Sequence, residues 1–191
     1  MNSVNRTLAT ALVGAAVALV LTGCGDDGDK KRDAWARKVC DRVGPQVTKI
    51  QRANASIAKA SEGDTSSEEV KKTDAAAFQD ISEAYAALAD AVEQAGAPPV
   101  DYGEKLHRDA VRELRDISAS YRELKKTVDG LDTDDQGEFA KGLKKVADRL
   151  EKLGQSGDEA LNTLQSGELG QAMARQQGCQ SPGATKSANG D

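Results

Sequence analysis

Three stretches of the chain carry apolar residues at alternating spacings of four and three, and this spacing limits what they can fold into. Side chains three and four apart lie on one face of an α-helix, whereas a half-buried strand alternates with a period of two. The first stretch, residues 67–96, therefore predicts a long helix with one face to bury. Its repeat runs through Val70, Asp74, Ala77, Ile81, Ala84, Leu88, Ala91 and Ala95.

Local signals predict where these helices begin and end. Gly96, followed by Pro98-Pro99, ends the first helix, and Gly130 ends a second helix over residues 100–129. Capping pairs stand at the predicted starts: Thr65/Ser66 with Glu68/Glu69, Asp101 with Glu104, and Thr133 with Gln136.

The third stretch contains Gly154 and Gly157, which favour a break, and Ser156 with Glu159 offers a cap for a fresh helix. The apolar repeat nevertheless passes through both glycines without a shift of phase. We therefore predict one helix over residues 134–165 that is weakened or bent near 154–157. Its repeat comprises Phe139, Leu143, Val146, Leu150, Leu153, Gly157, Ala160 and Leu164.

Two further helices flank these three. The first covers residues 29–61, and Gly44-Pro45 inside it predicts a kink or a short interruption. A short last helix covers about residues 168–177 and ends at Gly178. Residues 180–191 are small, polar and aperiodic, which predicts a disordered tail.

Together these elements predict an all-α fold. Short turns make successive helices antiparallel neighbours, so four long helices give an up-down-up-down four-helix bundle with a short extra C-terminal helix, here over residues 30–179. The same spacing also suits an extended coiled-coil dimer. The three breaks with good stop signals favour the closed bundle, and a monomer over a dimer.

The amino terminus predicts export and lipid anchoring. Arg6 precedes an uncharged apolar stretch, residues 7–21, that is too short for a membrane-spanning helix and suits a signal peptide. Leu21-Thr22-Gly23-Cys24 then resembles a bacterial lipobox. The resemblance implies a cleaved signal peptide over residues 1–23, lipid on the Cys24 thiol, and anchoring to the outer face of the cell membrane. Residues 24–29 are expected to form a flexible acidic tether.

The lipobox accounts for one of the three cysteines and leaves Cys40 and Cys179. Outside the cytoplasm two thiols within reach usually pair, so we predict a Cys40–Cys179 disulfide. Free thiols or a metal site are the alternatives, although two cysteines without a nearby histidine make a poor zinc site. The pairing also requires the last helix to climb beside the first one.

Composition and motifs argue against several activities. With 26 Lys and Arg against 31 Asp and Glu the net charge is −5, which disfavours a nucleic-acid binder. The single histidine, His107, has no recognisable nucleophile motif beside it. Residues 132–137 resemble the start of an EF-hand loop, but Leu143 stands where the closing Glu belongs, so we interpret them as an acidic helix start. We predict a non-catalytic protein without metal or cofactor.

The chain as a whole resembles the small secreted lipoproteins of actinobacteria. The lipobox, the acidic spacer, the Trp35-containing first helix with Cys40, residues 96–101 and Gly178-Cys179 carry the resemblance. It implies location and architecture, but no chemistry, because members of that family generally have no assigned activity.

Three function classes remain, and the third of them is an enzyme. The first is a surface-tethered interaction or structural module with an unknown protein partner, which a filled bundle with a large exposed apolar patch would favour. The alternative is a ligand-binding or sensing bundle, which a pocket between helices lined by Trp35 or the tyrosines would favour. The tyrosines are Tyr85, Tyr102 and Tyr121.

Overall fold

A computed structural model describes residues 26–62, 65–155 and 159–180, and within these ranges it contains helices and no strand. This confirms the predicted all-α bundle. The helices are α1 (Asp26–Ser61), α2 (Ser67–Ala95), α3 (Gly103–Asp129), α4 (Gln136–Gln155), α5 (Glu159–Leu164) and α6 (Gly167–Ala174), followed by a 3₁₀ turn (Gln177–Cys179).

The helices enclose two apolar cores. α1, α2 and α3 are successive neighbours with short connections and contribute to both cores, whereas the fourth layer is divided between α4 and the pair α5 and α6. The core nearer the amino-terminal end of α1, called the proximal core here, as opposed to the distal core, contains Trp35, Ala36, Val39, Ala89, Val92, Ala110, Val111, Leu114, Leu164, Leu169 and Ala172. The distal core contains Ala53, Ala75, Ala77, Phe78, Ile81, Leu124, Val128 and Val146. Tyr85 packs against both cores and marks their boundary.

The predicted boundaries of α2 are confirmed. The Ser66 hydroxyl accepts a hydrogen bond from the Glu69 backbone N–H at 3.3 Å, which caps the start of the helix. Gly96 has φ 75°, a left-handed conformation that favours glycine, and it ends the helix. The α2–α3 turn follows directly.

The predicted caps of α3 and α4 are wrong. α3 begins at Gly103 after Tyr102, which has φ 58° and no side-chain cap. The start is fixed by a close approach instead, because a Cβ on Gly103 would lie 2.1 Å from the Pro98 carbonyl oxygen. For α4, Asp135 rather than Thr133 supplies the cap, and its Oδ1 accepts from the backbone N–H groups of residues 137 and 138 at 2.9 and 3.0 Å.

The first helix is longer and more continuous than predicted. α1 begins at Asp26, so residues 26–29 of the predicted tether are helical; acidic residues suit a helix amino terminus, and the Asp29 carboxylate accepts a hydrogen bond from Arg32 at 2.7 Å. The predicted interruption at Gly44-Pro45 is absent, because α1 runs through Pro45. Contacts with α2 on one side and with the 3₁₀ turn on the other hold the helix together at this weak point.

α4 and α5 both lie within the single helix predicted over residues 134–165. α4 is described to Gln155 and α5 from Glu159, and the residues between them lie outside the described part. The continuity of this helix past Gly157 therefore stays a prediction. The last helix, predicted over residues 168–177, is shorter and ends at Ala174.

The predicted signal peptide over residues 1–23, together with Cys24, and residues 181–191 of the predicted tail lie outside the described residues. Within the described ranges, no helix is both long and apolar enough to cross a bilayer.

Candidate functional site

The predicted disulfide is present between Cys40 and Cys179. It joins the amino-terminal half of α1 to the 3₁₀ turn, with an S–S distance of 1.99 Å and a Cα–Cα distance of 5.0 Å. The bond closes a sequence separation of 139 residues, so it fastens the end of the described chain to its first helix.

The backbone at this junction is closely packed. A Cβ on Gly178 would lie 2.0 Å from the Cys40 carbonyl oxygen, so only glycine fits against α1 at this position. Nearby, the Arg175 guanidinium donates to the Asp33 carboxylate at 2.7 Å. The C-terminal segment is therefore held on α1 by a covalent bond, an ion pair and a close backbone contact.

A cavity of about 600 Å³ lies beside the disulfide, at the boundary of the two cores. The buried side chains of Val92, Leu114 and Leu164 form part of its apolar lining. Half-buried apolar side chains form more of it: Val43 and Val47 from α1, Tyr85 and Leu88 from α2, Leu161 from α5 and Met173 from α6. The cavity thus lies between the long helices and the short C-terminal helices.

The polar side chains of the lining are carboxamides, apart from the Tyr85 phenol. Gln51, Asn162, Gln165 and Gln180 are exposed at the mouth of the cavity, and no charged side chain lines it among the residues that the structure describes. Gln165 and Gln180 each donate one amide N–H to a backbone carbonyl, of Leu161 at 3.4 Å and of Ala174 at 3.3 Å. The mouth therefore offers neutral hydrogen-bonding groups and no formal charge.

Different described helices cover the two cores on the fourth side. α4 supplies Val146 to the distal core, whereas α5 and α6 supply Leu164 and Leu169 to the proximal core. The middle of α1, residues 46–50, is half-buried, and the cavity borders this part of α1.

The aromatic residues that the sequence offers as pocket residues separate into three environments. Trp35 is buried, and its indole N–H donates to the Gly96 carbonyl at 2.8 Å. Tyr121 stacks on Tyr85 with a centroid distance of 5.8 Å, and burial raises the pKa of the Tyr121 phenol. Tyr102, in contrast, is 86% exposed. Only Tyr85 lines the cavity.

His107 is half-buried, away from the cavity. It borders a separate shallow hollow of about 350 Å³ whose other described lining residues are acids, arginines and Val111, with no Ser, Thr or Cys. The His107 Nε2 atom is buried without a hydrogen-bond partner among the described residues. This arrangement fits a flanking histidine rather than a general base, which needs a nucleophile within reach.

Asp74 is a buried acid for which the sequence gives no role. Its residue is 6% exposed, and Oδ1 has no hydrogen-bond partner in the described part of the chain. Burial raises the pKa of this carboxyl above its ordinary value. In the sequence, Asp74 stands at a position of the α2 repeat that is otherwise apolar, and this position predicts its burial.

The acidic stretch before α4 acts as a helix start. Asp132 accepts from the backbone N–H of Asp134 at 2.9 Å, and Asp135 caps α4 as described above. Across the described residues, no group of three or more His, Cys, Asp or Glu is placed to hold a metal ion.

Sequence reasoning missed most of the cavity. Leu161, Met173 and three of the four amides come from the C-terminal segments, which pack on α3 and α1 and are fastened by the disulfide, whereas Gln51 comes from α1. Cys179 is the signal that points to this region. Comparison of the chain with family models, curated proteins and solved structures finds no match.

Proposed function

We propose that this protein is a lipid-anchored bundle on the outer face of the cell membrane that binds a small apolar ligand in the cavity between its helices. The anchor rests on the lipobox-like Leu21–Cys24 and on the resemblance to actinobacterial lipoproteins. Because α1 begins at Asp26, only Gly25 separates it from Cys24. The amino-terminal end of α1 then lies next to the bilayer.

The cavity is the observation that carries the binding role. Ligand pockets in proteins span about 300–1,000 Å³ and combine apolar walls with a few polar groups, which describes this cavity. It is lined by Tyr85, the kind of residue expected for a ligand-binding bundle. Among the described residues the only large apolar side chain that is exposed is Tyr102, so a broad apolar patch for a protein partner is lacking there.

The binding that we propose involves no catalysis. The described lining of the cavity contains no Ser, Thr, His, Lys, Asp or Glu, and its one cysteine, Cys179, is held in the disulfide. The described lining therefore lacks a nucleophile paired with a base, and the Tyr85 phenol is its one titratable side chain.

Cys24→Ser tests the anchor. Mass spectrometry of the membrane-extracted protein should find a diacylglyceryl group on the Cys24 peptide and none after the substitution. A Cys40→Ala/Cys179→Ala variant is the control, because it loses two thiols yet keeps the lipid. An unmodified Cys24 thiol in membrane-extracted protein would contradict the anchor.

Binding is tested with N-phenylnaphthylamine, an uncharged dye whose fluorescence rises in apolar surroundings. The probe is titrated into a soluble form of the chain that begins at Gly25, which contains every described residue and, without Cys24, avoids detergent. We expect saturable binding of one dye per chain. Val47→Phe places a larger side chain in the cavity wall and should weaken binding by at least about tenfold, a loss of about 1.4 kcal/mol.

The matched control is Arg52→Phe, which adds the same ring at an exposed position of α1 outside the cavity lining. It should leave the dissociation constant unchanged. Absence of saturable binding, or equal weakening by both substitutions, would contradict a ligand-binding cavity.

An interaction module is the second candidate, and Tyr102 is the observation that favours it. This tyrosine is 86% exposed on the α2–α3 turn, and aromatic side chains are enriched in protein interfaces. A photo-crosslinking residue at position 102 should then capture one defined partner in intact cells, whereas the same residue at exposed Arg52 should not. Equal capture from both positions would count against a partner site.

A further inference from the structure

We infer that the cavity takes an uncharged single-chain amphiphile, with an aliphatic body and a neutral hydrogen-bonding head such as a hydroxyl, ester or amide. This inference rests on the proposed ligand-binding function and names the class of ligand. Three features of the described lining support it: the type of polar group at the mouth, the absence of charge, and the aliphatic character of the walls.

The carboxamides at the mouth suit a neutral head. An amide offers both a donor and an acceptor, so it can pair with a hydroxyl, which donates and accepts, and with an ester, which only accepts. The four carboxamides come from different parts of the chain, Gln51 from α1, Asn162 from α5, and Gln165 and Gln180 from the segments that follow, and all four are exposed members of the lining. Because two of these amides already donate to backbone carbonyls, their positions are partly fixed before a ligand arrives.

The same residues disfavour an ion. Moving a charged group out of water is costly unless an opposite charge or several strong hydrogen bonds replace its hydration. Neither a cation nor an anion finds an opposite charge in the described lining. A carboxylate would also meet a chain whose net charge is −5. A neutral head avoids both costs.

The walls favour an aliphatic body. Val43, Val47, Leu88, Leu161 and Met173 supply most of the half-buried surface, and their aliphatic side chains fit a flexible chain. The single aromatic ring of the lining, Tyr85, already stacks on Tyr121 with an interplanar angle of 10°. One of its faces is therefore occupied within the protein.

Three probes with the same tail test this inference. Dodecanol, dodecanoate and dodecyltrimethylammonium each compete with bound N-phenylnaphthylamine on the soluble form that begins at Gly25. The two ions are kept below their micellar concentrations, and the pH is about 8, where the carboxylate is ionised. We expect dodecanol to displace the dye with a dissociation constant at least about tenfold lower than that of either ion.

The outcomes separate the inference from the proposed function. Dye binding that either ion displaces as well as dodecanol does would overturn the inference and leave the proposed ligand-binding cavity standing. Failure of the dye itself to bind would overturn both.

A charge placed at the mouth tests where the head lies. Asn162→Lys adds a cation at an exposed lining position and should raise the affinity for dodecanoate relative to that for dodecanol at least about threefold. Gln171→Lys, on an exposed position of α6 outside the lining, is the matched control and should change neither. An equal gain in dodecanoate affinity in both variants would overturn the placement of the head at the amides, because the gain would then follow from the net charge of the protein alone.

Discussion

Ser82 and Ser118 exchange hydrogen bonds across the interface of α2 and α3. Each hydroxyl donates to the backbone carbonyl of the other residue, at 2.9 Å from Ser82 and at 2.8 Å from Ser118, and the two Oγ atoms lie 3.2 Å apart. Both serines are buried, at 4% and 3% exposure. Their small side chains let the two helix backbones approach closely, and the reciprocal bonds satisfy the hydroxyls where water is excluded.

This pair gives an ordered prediction for stability. Ser82→Ala removes one buried hydrogen bond and should lower the free energy of unfolding by about 1 kcal/mol. Ser82→Val should cost more, about 2 to 3 kcal/mol, because the extra methyl groups also force the backbones apart. Urea denaturation of both variants measures the two losses. A valine variant as stable as the unchanged protein would show that the interface is not closely packed here.

Gly178→Ala should disturb the junction around the disulfide. The new Cβ would meet the Cys40 carbonyl oxygen at 2.0 Å, so the 3₁₀ turn must move away from α1. We expect a measurable fraction of exported molecules with free Cys40 and Cys179 thiols, detected by alkylation and mass spectrometry. Gly130→Ala is the control, since its nearest neighbours lie at 3.6 Å, and it should keep the disulfide complete. Equal and complete pairing in both variants would contradict the close approach.

Removing the disulfide should lower the stability of the whole bundle. For a separation of 139 residues, the loss of loop-closure entropy sets an upper limit of about 5 kcal/mol. Cys40→Ala/Cys179→Ala should therefore reduce the free energy of unfolding by about 2 to 5 kcal/mol. The measurement compares urea midpoints of the variant and of the unchanged protein with and without reductant. If reductant leaves the urea midpoint of the unchanged protein where it was, that result would contradict the presence of the disulfide.

Asp74 should make stability fall as pH rises. Burial raises the pKa of its carboxyl above the ordinary value of 3.8, so the folded state binds this proton more tightly than the unfolded state does. The contribution of protonated Asp74 to the free energy of unfolding is complete below pH 3.8, and it is lost as the pH rises through the folded-state pKa. The free energy of unfolding of Asp74→Asn should equal that of the unchanged protein at acidic pH. At higher pH the variant should be increasingly the more stable of the two. A difference in unfolding free energy that stays constant with pH would contradict this reasoning.

The sequence predicts the long elements well because their causes are local. The spacing of α2, the Ser66 cap and the stop at Gly96 each act within a few residues, and all three are confirmed. The disulfide was also predictable, because the lipobox-like motif accounts for Cys24 and leaves only two cysteines to pair. Starts that depend on contacts with distant residues were predicted wrongly, as Gly103 against Pro98 shows.

Tertiary contacts decide what the repeat could not. The apolar spacing over residues 100–129 predicts that Ile117 faces the core, but Ile117 is only half-buried, whereas Ser118 beside it is buried in the α2 interface. A hydrophobic pattern does not mark a serine as an interface residue. The cavity is still less visible in the sequence, because Leu161 and Met173 reach it through the packing of the C-terminal helices and the bond at Cys179.

The central claim, that an apolar ligand occupies the cavity between the helices, is tested most directly by isotope-filtered NMR. The soluble form that begins at Gly25 is prepared with labelled methyl groups and is saturated with unlabelled dodecanol. We predict nuclear Overhauser contacts from the dodecyl chain to Val47, Leu88 and Leu161, which line the cavity, and none to Ile57 in the distal part of the bundle. Contacts confined to Ile57 or to other methyl groups outside the cavity, or no contacts at saturation, would contradict the claim.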